Sequence, residues 1–213
     1  MQHEARKAEE NEIMNYLAHL YLSGESDEIM LGNFIGDYVK GQQYLRYSEE
    51  VQRGILLHRS IDSFTDTHTV VREAANYFRP AYGRYAGIVT DVIFDHFLAK
   101  YWREYSPHTL RQFAKHVHAV LLSNFFQLPT RVKGFLPFLI QHKRLESYAR
   151  LDGIQQSLHI MAHRTSLPDQ TNEAMTVLEE NFVELKELFE RFFEELVLHS
   201  EETFDVEILK ANS

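Results

Sequence analysis

From Met175 to Leu196 the apolar residues Met175, Leu178, Phe182, Leu185, Phe189, Phe192 and Leu196 step by 3, 4, 3, 4, 3 and 4 positions. An α-helix, with its 3.6-residue turn, gathers such a series on one face and leaves the intervening glutamates and lysines on the other. The same spacing recurs almost throughout the chain, and sustained period-two alternation is missing, so the sequence is constrained to an all-α fold. Only 9 glycines and 5 prolines occur, and no Ser/Gly/Pro stretch, internal repeat or low-complexity tract divides the pattern. A single-domain helical bundle is therefore expected over 14–200, between a flexible polar N-terminal extension at 1–13 and a C-terminal tail at 201–213.

The spacing predicts helices at 15–23, 28–40, 49–66, 69–78, 83–104, 107–125, 130–143, 147–164 and 169–199. Ser48 before Glu49 and Glu50 reads as an N-cap, and Ser106 before Pro107 as another. Gly24 and Gly41 read as helix stops.

Composition excludes several function classes. With 31 acidic against 22 basic residues the formal charge is -9, which disfavours non-specific attraction to nucleic acid or an anionic membrane. No apolar run approaches the ~20 residues that span a bilayer, and the N-terminus lacks the basic-then-apolar order of a signal peptide. The chain has no cysteine, which rules out disulfides, thiolate catalysis and Cys-ligated zinc and fits a reducing cytoplasm. Any metal must be held by His, Asp, Glu and water.

The stretch "HRSIDSFTDTH" at 58–68 crowds two histidines, two aspartates and one arginine into one segment. On a helix His58, Asp62 and Asp66 stack in a row, because residues four apart share a face. "DVIFDHF" repeats the device, with Asp91 and Asp95 four apart and His96 adjacent, inside an apolar helix where carboxylates need partners. Upstream, "GNFIGDYVKG" contains Asp37 and "NYLAHLYL" embeds His19 among leucines. A bundle can point residues from facing helices into one centre, and imidazole plus carboxylate suits Mn, Fe, Zn or Mg.

Each element also has a structural reading. His19 reads as a hydrogen-bonded core histidine, Asp37 as a turn or cap residue, Asp66 as a helix end, and Arg59 as the ion-pair partner of the nearby acids. The joint set His58, Asp62, Asp91, Asp95 and His96 favours a metal, because Arg59 alone cannot neutralise it. His68, His108, His116, His118, His142, His159 and His199 read as surface or incidental. No Walker loop, G-x-S-x-G elbow, H-E-x-x-H helix or dinucleotide fingerprint is present, which leaves an activated water as the nucleophile.

"MNYLAHLYLS" from Met14, "GNFIGDYVKG" at 32–41, "GILLHRSIDSFTDTH" at 54–68 and "DVIFDHFLAKYW" at 91–102 together resemble the acyl carrier protein phosphodiesterase family. The resemblance runs in order to about residue 165. It implies an all-helical enzyme similar to the HD-type metal-dependent phosphohydrolases, assisted by manganese, that removes 4'-phosphopantetheine from holo acyl carrier protein. It raises Asp37, in the G-N-x-x-x-D motif, to a functional residue, and matches His58, Asp62, Asp66, Asp91, Asp95 and His96 to the other polar positions. The resulting expectation is a divalent metal, Mn2+ first and Mg2+ or Fe2+ as alternatives, among Asp37, His58, Asp62, Asp91 and Asp95. Asp37, His58 and His96 are the catalytic candidates, and His19 is a further ligand candidate. Arg59, Arg72 and Arg79 are the substrate-binding candidates, with Arg84, Arg103, Arg131, Lys133, Lys143, Arg144 and Arg150 as a possible basic rim for an acidic carrier protein. A phosphohydrolase acting on a nucleotide or another small phosphodiester is the alternative.

Overall fold

A computed structural model describes residues 16–211. The extension expected at 1–13 lies outside the described residues. Among those described there are twelve α-helices and no strand. They are α1 (Tyr16–Tyr21), α2 (Asp27–Ile35), α3 (Glu49–Thr67), α4 (Thr69–Tyr82), α5 (Ala86–Lys100), α6 (Trp102–Tyr105), α7 (Leu110–Ser123), α8 (Thr130–Gln141), α9 (Arg144–Ser147), α10 (Leu151–Arg164), α11 (Thr171–Glu180) and α12 (Phe182–Phe204). The all-α expectation holds, and none of the helices is long and apolar enough to cross a membrane.

Helix α5 is the axis of the larger core. Its residues from Val92 to Ala99 are all buried, including Asp95 and His96, so it is enclosed on every side by α1, α4, α10 and α12. Phe97, Phe189 and Phe193 stack in this core, and the C-terminal stripe read from the sequence lines it. A second core joins α1 and α2 to α7 and α8 through Leu20, Phe34, Ile35, Val117, Leu121 and Leu136. Helices α1, α2 and α3 thus stand between the two cores.

The crossing of α2 over α3 is set by two glycines. A Cβ on Gly32 would lie 2.1 Å from the Val51 carbonyl oxygen, and one on Gly54 would lie 2.2 Å from that of Ile29. Backbone touches backbone there, which no larger residue permits. This brings the end of α2 against the middle of α3, where the chemistry lies.

Several boundaries differ from expectation. The helix expected at 28–40 ends at Ile35 and tightens into a 3-10 turn at Gly36–Tyr38, then a second at Gly41–Arg46, so Gly41, at φ +55°, opens a turn. Helix α4 continues through Pro80 to Tyr82, and Gly83, at φ +53°, breaks it from the turn leading into α5. Helix α7 starts at Leu110, because Thr109 and Gln112 form a reciprocal capping box; Ser106 instead accepts from the His108 N–H. The segment at 169–199 is two helices, α11 and α12, broken at Asn181, whose side chain donates to the Val177 carbonyl. Helix α12 ends at Phe204 rather than 199, and Val206 and Ile208 are buried in the larger core, so 201–208 packs rather than trails.

Candidate metal centre

The centre begins with a histidine whose tautomer its neighbours dictate. Asn33, fully buried on α2, donates through Nδ2 to the His19 carbonyl at 2.6 Å and to Ser23 Oγ at 3.1 Å. Its Oδ1 is therefore the acceptor that faces His19 Nδ1 at 3.0 Å, and Nδ1 must carry the hydrogen. His19 Nε2 is left as a lone pair in the neutral ring, 3.4 Å from Asp62 Oδ1. Two acceptors face one another, and only a proton or a cation reconciles them.

His58 completes the arrangement from α3. Its ring stacks on that of His19, centroids 4.3 Å apart, and its Nε2 lies 3.3 Å from Asp37 Oδ1 and 3.4 Å from Asp62 Oδ2. Both His58 nitrogens are buried without a well-aligned hydrogen bond. The ring fits because residue 36 is glycine: a Cβ there would sit 2.3 Å from His58 Cγ. Asp62 stands one turn after His58, as the sequence requires, and its half-exposed side chain marks the open side of the site. Ligand atoms of His19, His58 and Asp62 lie within 4.8 Å of one another.

The electrostatics carry the same demand for positive charge. Burial pushes His19 down, but the hydrogen bond and charge of Asp62, helped by Asp37, raise it overall. Burial pushes Asp37 up, yet the His58 imidazole holds its carboxyl below the usual range; His19 does the same for Asp62, with Lys40 as a further cation. Asp91 is raised well above the ordinary range by burial and by Asp62, Asp66 and Asp95, which places it beside the cluster.

Asp95 has a different task. Its two oxygens accept from the Leu17 and Ala18 N–H groups at 3.0 and 2.9 Å, so it anchors the first turn of α1, the helix that carries His19. Burial lifts its pKa to about 7 even though both N–H groups favour the charged form. His96 is not brought into the cluster: fully buried, it donates from Nδ1 to the Tyr148 carbonyl at 2.7 Å. Arg59 does not pair with these acids in any ion pair seen here; it donates to the Val39 and Gly41 carbonyls at 2.7 and 2.9 Å and lies over the Tyr44 ring, which fastens the turn behind Asp37. Arg72 and Arg79 are exposed on α4. Residue type alone does not single out Asn33, Gly36 or Lys40, although Asn33 and Asp37, four apart in the quoted motif, would share a helical face.

The donor set suits a divalent cation, because two imidazole nitrogens and a carboxylate converge with orphaned lone pairs and no thiolate. Fold and site together define an all-helical protein built around a buried histidine–carboxylate centre whose donors could hold a metal ion. The chain belongs to the acyl carrier protein phosphodiesterase family, whose family model matches residues 14–196. It is 35% identical over 181 residues to the acyl carrier protein phosphodiesterase of Yersinia pestis, covering 84% of this chain and 94% of that protein. The protein of that name from Salmonella agona (strain SL483) is 36% identical over 181 residues, covering 84% and 94% respectively. That from Enterobacter sp. (strain 638) is 33% identical over 188 residues, covering 88% and 97%. No solved structure matches the chain.

Proposed function

We propose that this chain is a divalent-metal-dependent phosphodiesterase that hydrolyses the serine phosphodiester of holo acyl carrier protein, releasing apo carrier protein and 4'-phosphopantetheine. The observation that carries this reading is the convergence of His19 Nε2, His58 Nε2 and Asp62 at one half-open site, in a chain of this family. These three residues would hold the cation; two imidazoles and a carboxylate accommodate several divalent ions, and it is the family resemblance that points to manganese, with magnesium or iron as alternatives. When bound, the cation supplies Lewis acidity and charge neutralisation for a phosphodiester.

The remaining work falls to the chain. Asn33 holds His19 in the tautomer that presents Nε2, and Asp95 holds the helix on which His19 stands. Asp37, kept ionised beside His58, is placed to accept a proton from the attacking water. Asp62 is the ligand nearest solvent, so the phosphodiester approaches over it, and exposed Lys40, close enough to stabilise the Asp62 charge, can pair with a phosphoryl oxygen. Arg59 fixes the turn that carries Lys40. A chain without cysteine suits the cytoplasm, where acyl carrier protein substrates would be met.

The test is mass spectrometry of holo acyl carrier protein after incubation with the chain and Mn2+. Loss of the phosphopantetheinyl group, abolished by chelator and by His58→Ala, is expected. Intact holo protein, with turnover of a nucleotide diester instead, would replace the substrate assignment.

A further inference from the structure

A second histidine pair lies outside this centre. His159 and His163 occupy successive turns of α10, and both are exposed. Their Nε2 atoms face one another at 3.0 Å, with ring centroids 4.3 Å apart and the rings nearly perpendicular. Asp169, from the connection to α11, lies on the other side of the first ring, its Oδ1 3.8 Å from His159 Nδ1. Ligand atoms of all three residues fall within 4.8 Å of one another. His159 and Asp169 line an open depression of ≈ 810 Å³, together with Asp152, Gln155, Asn172 and Glu173.

We propose that His159, His163 and Asp169 form a second divalent-cation site, which takes a borderline transition ion such as Zn2+ and ties the 165–170 connection to α10. Two nitrogens 3.0 Å apart can both lie ~2.1 Å from one ion, at an angle of about 90° between them. In the metal-free chain that short separation needs a hydrogen on one Nε2. A cation takes its place when that ring carries its hydrogen on Nδ1 instead. For His159 the Nδ1–H then points toward Asp169, the usual way a carboxylate orients a ligating imidazole. Imidazole ligands select zinc, nickel or copper over magnesium or calcium, and the depression leaves room for water to fill the remaining positions. Asp169 is a positioning residue, also held by the Thr171 hydroxyl at 3.2 Å.

The site shares no residue with the His19–His58–Asp62 centre, so it can be tested whatever that centre does. Tag-free full-length chain is titrated with Zn2+ by calorimetry, beside His159→Ala, His163→Ala and Asp169→Asn. The two histidine variants should each bind one ion fewer than wild type, and Asp169→Asn should weaken that same ion roughly tenfold. Both histidines are exposed, so circular dichroism should be unchanged; His163→Asn, a smaller change, repeats the test. Mg2+ should not compete at the lost site. Unchanged Zn2+ stoichiometry and affinity in folded His159→Ala or His163→Ala overturns the proposal.

Discussion

Asp95→Ala separates an anchor from a ligand. The carboxylate is 1% exposed and accepts two backbone N–H bonds at 3.0 and 2.9 Å from the start of α1. Truncation leaves two buried donors without a partner, each costing about 1–3 kcal/mol, so the metal-free protein should lose roughly 2–6 kcal/mol near pH 5. At about 2–4 °C per kcal/mol for a chain of this size, a loss of about 3 kcal/mol lowers Tm by roughly 6–12 °C. The deficit depends on pH in a defined direction. Burial raises the folded Asp95 pKa to about 7 from the ordinary aspartate value of 3.8, so the folded state binds more protons than the unfolded state between those values. Wild-type stability from this group therefore falls as pH rises through that window, while alanine does not titrate. The gap between wild type and variant should be widest near pH 5 and narrow toward pH 8. Thermal unfolding in chelator at the two pH values measures it. If Asp95 were chiefly a ligand, removing a buried charge would leave the metal-free Tm unchanged or higher at both pH values, and that result refutes the anchoring role.

Other expectations follow from the same geometry. Gly36→Ala should displace the His58 ring, because the new Cβ would lie 2.3 Å from Cγ; Mn2+ affinity measured by calorimetry should fall far more than helical content. Saturating Mn2+ at about 100 times its Kd should stabilise the fold by roughly 2.7 kcal/mol, a Tm rise of about 5–10 °C that Asp62→Ala largely loses. Metal must displace a proton from His19, whose pKa is raised, so Mn2+ affinity should climb as pH rises above 6.5; the stability that protonated His19 gives the metal-free fold is present below 6.5 and is lost as pH rises through its folded pKa. Lys40→Ala should raise KM for holo acyl carrier protein more than it lowers kcat, and equal KM values would remove Lys40 from substrate binding.

The fold class was legible because helical periodicity is written by side chains buried along one face, which α4 and α12 carry in full, whereas α5, buried on every side, shows little of it. Boundaries set by local hydrogen bonds were less so: Thr109 with Gln112 outcompeted Ser106 as a cap, and the break at Asn181 interrupts no apolar stripe. Within the site, His58 and Asp62 were readable because their spacing forces a shared face. Residue type alone could not separate Asp91, which stands by the cluster, from Asp95, four positions on, whose partners come from a helix 77 and 78 residues earlier in the chain. His96 sits next to Asp95 in sequence but turns to Tyr148, since successive helical residues diverge by about 100°. Asn33 and Gly36 act through what they orient or leave room for, a signal that appears only once α2 and α3 are crossed.

The metal centre itself is tested most directly by anomalous diffraction from crystals of the chain grown with Mn2+. An anomalous peak within coordination distance of His19 Nε2, His58 Nε2 and an Asp62 oxygen is the predicted result. Crystals that carry Mn2+ elsewhere, with both imidazoles still stacked and the space between them and Asp62 free of anomalous signal, would contradict it.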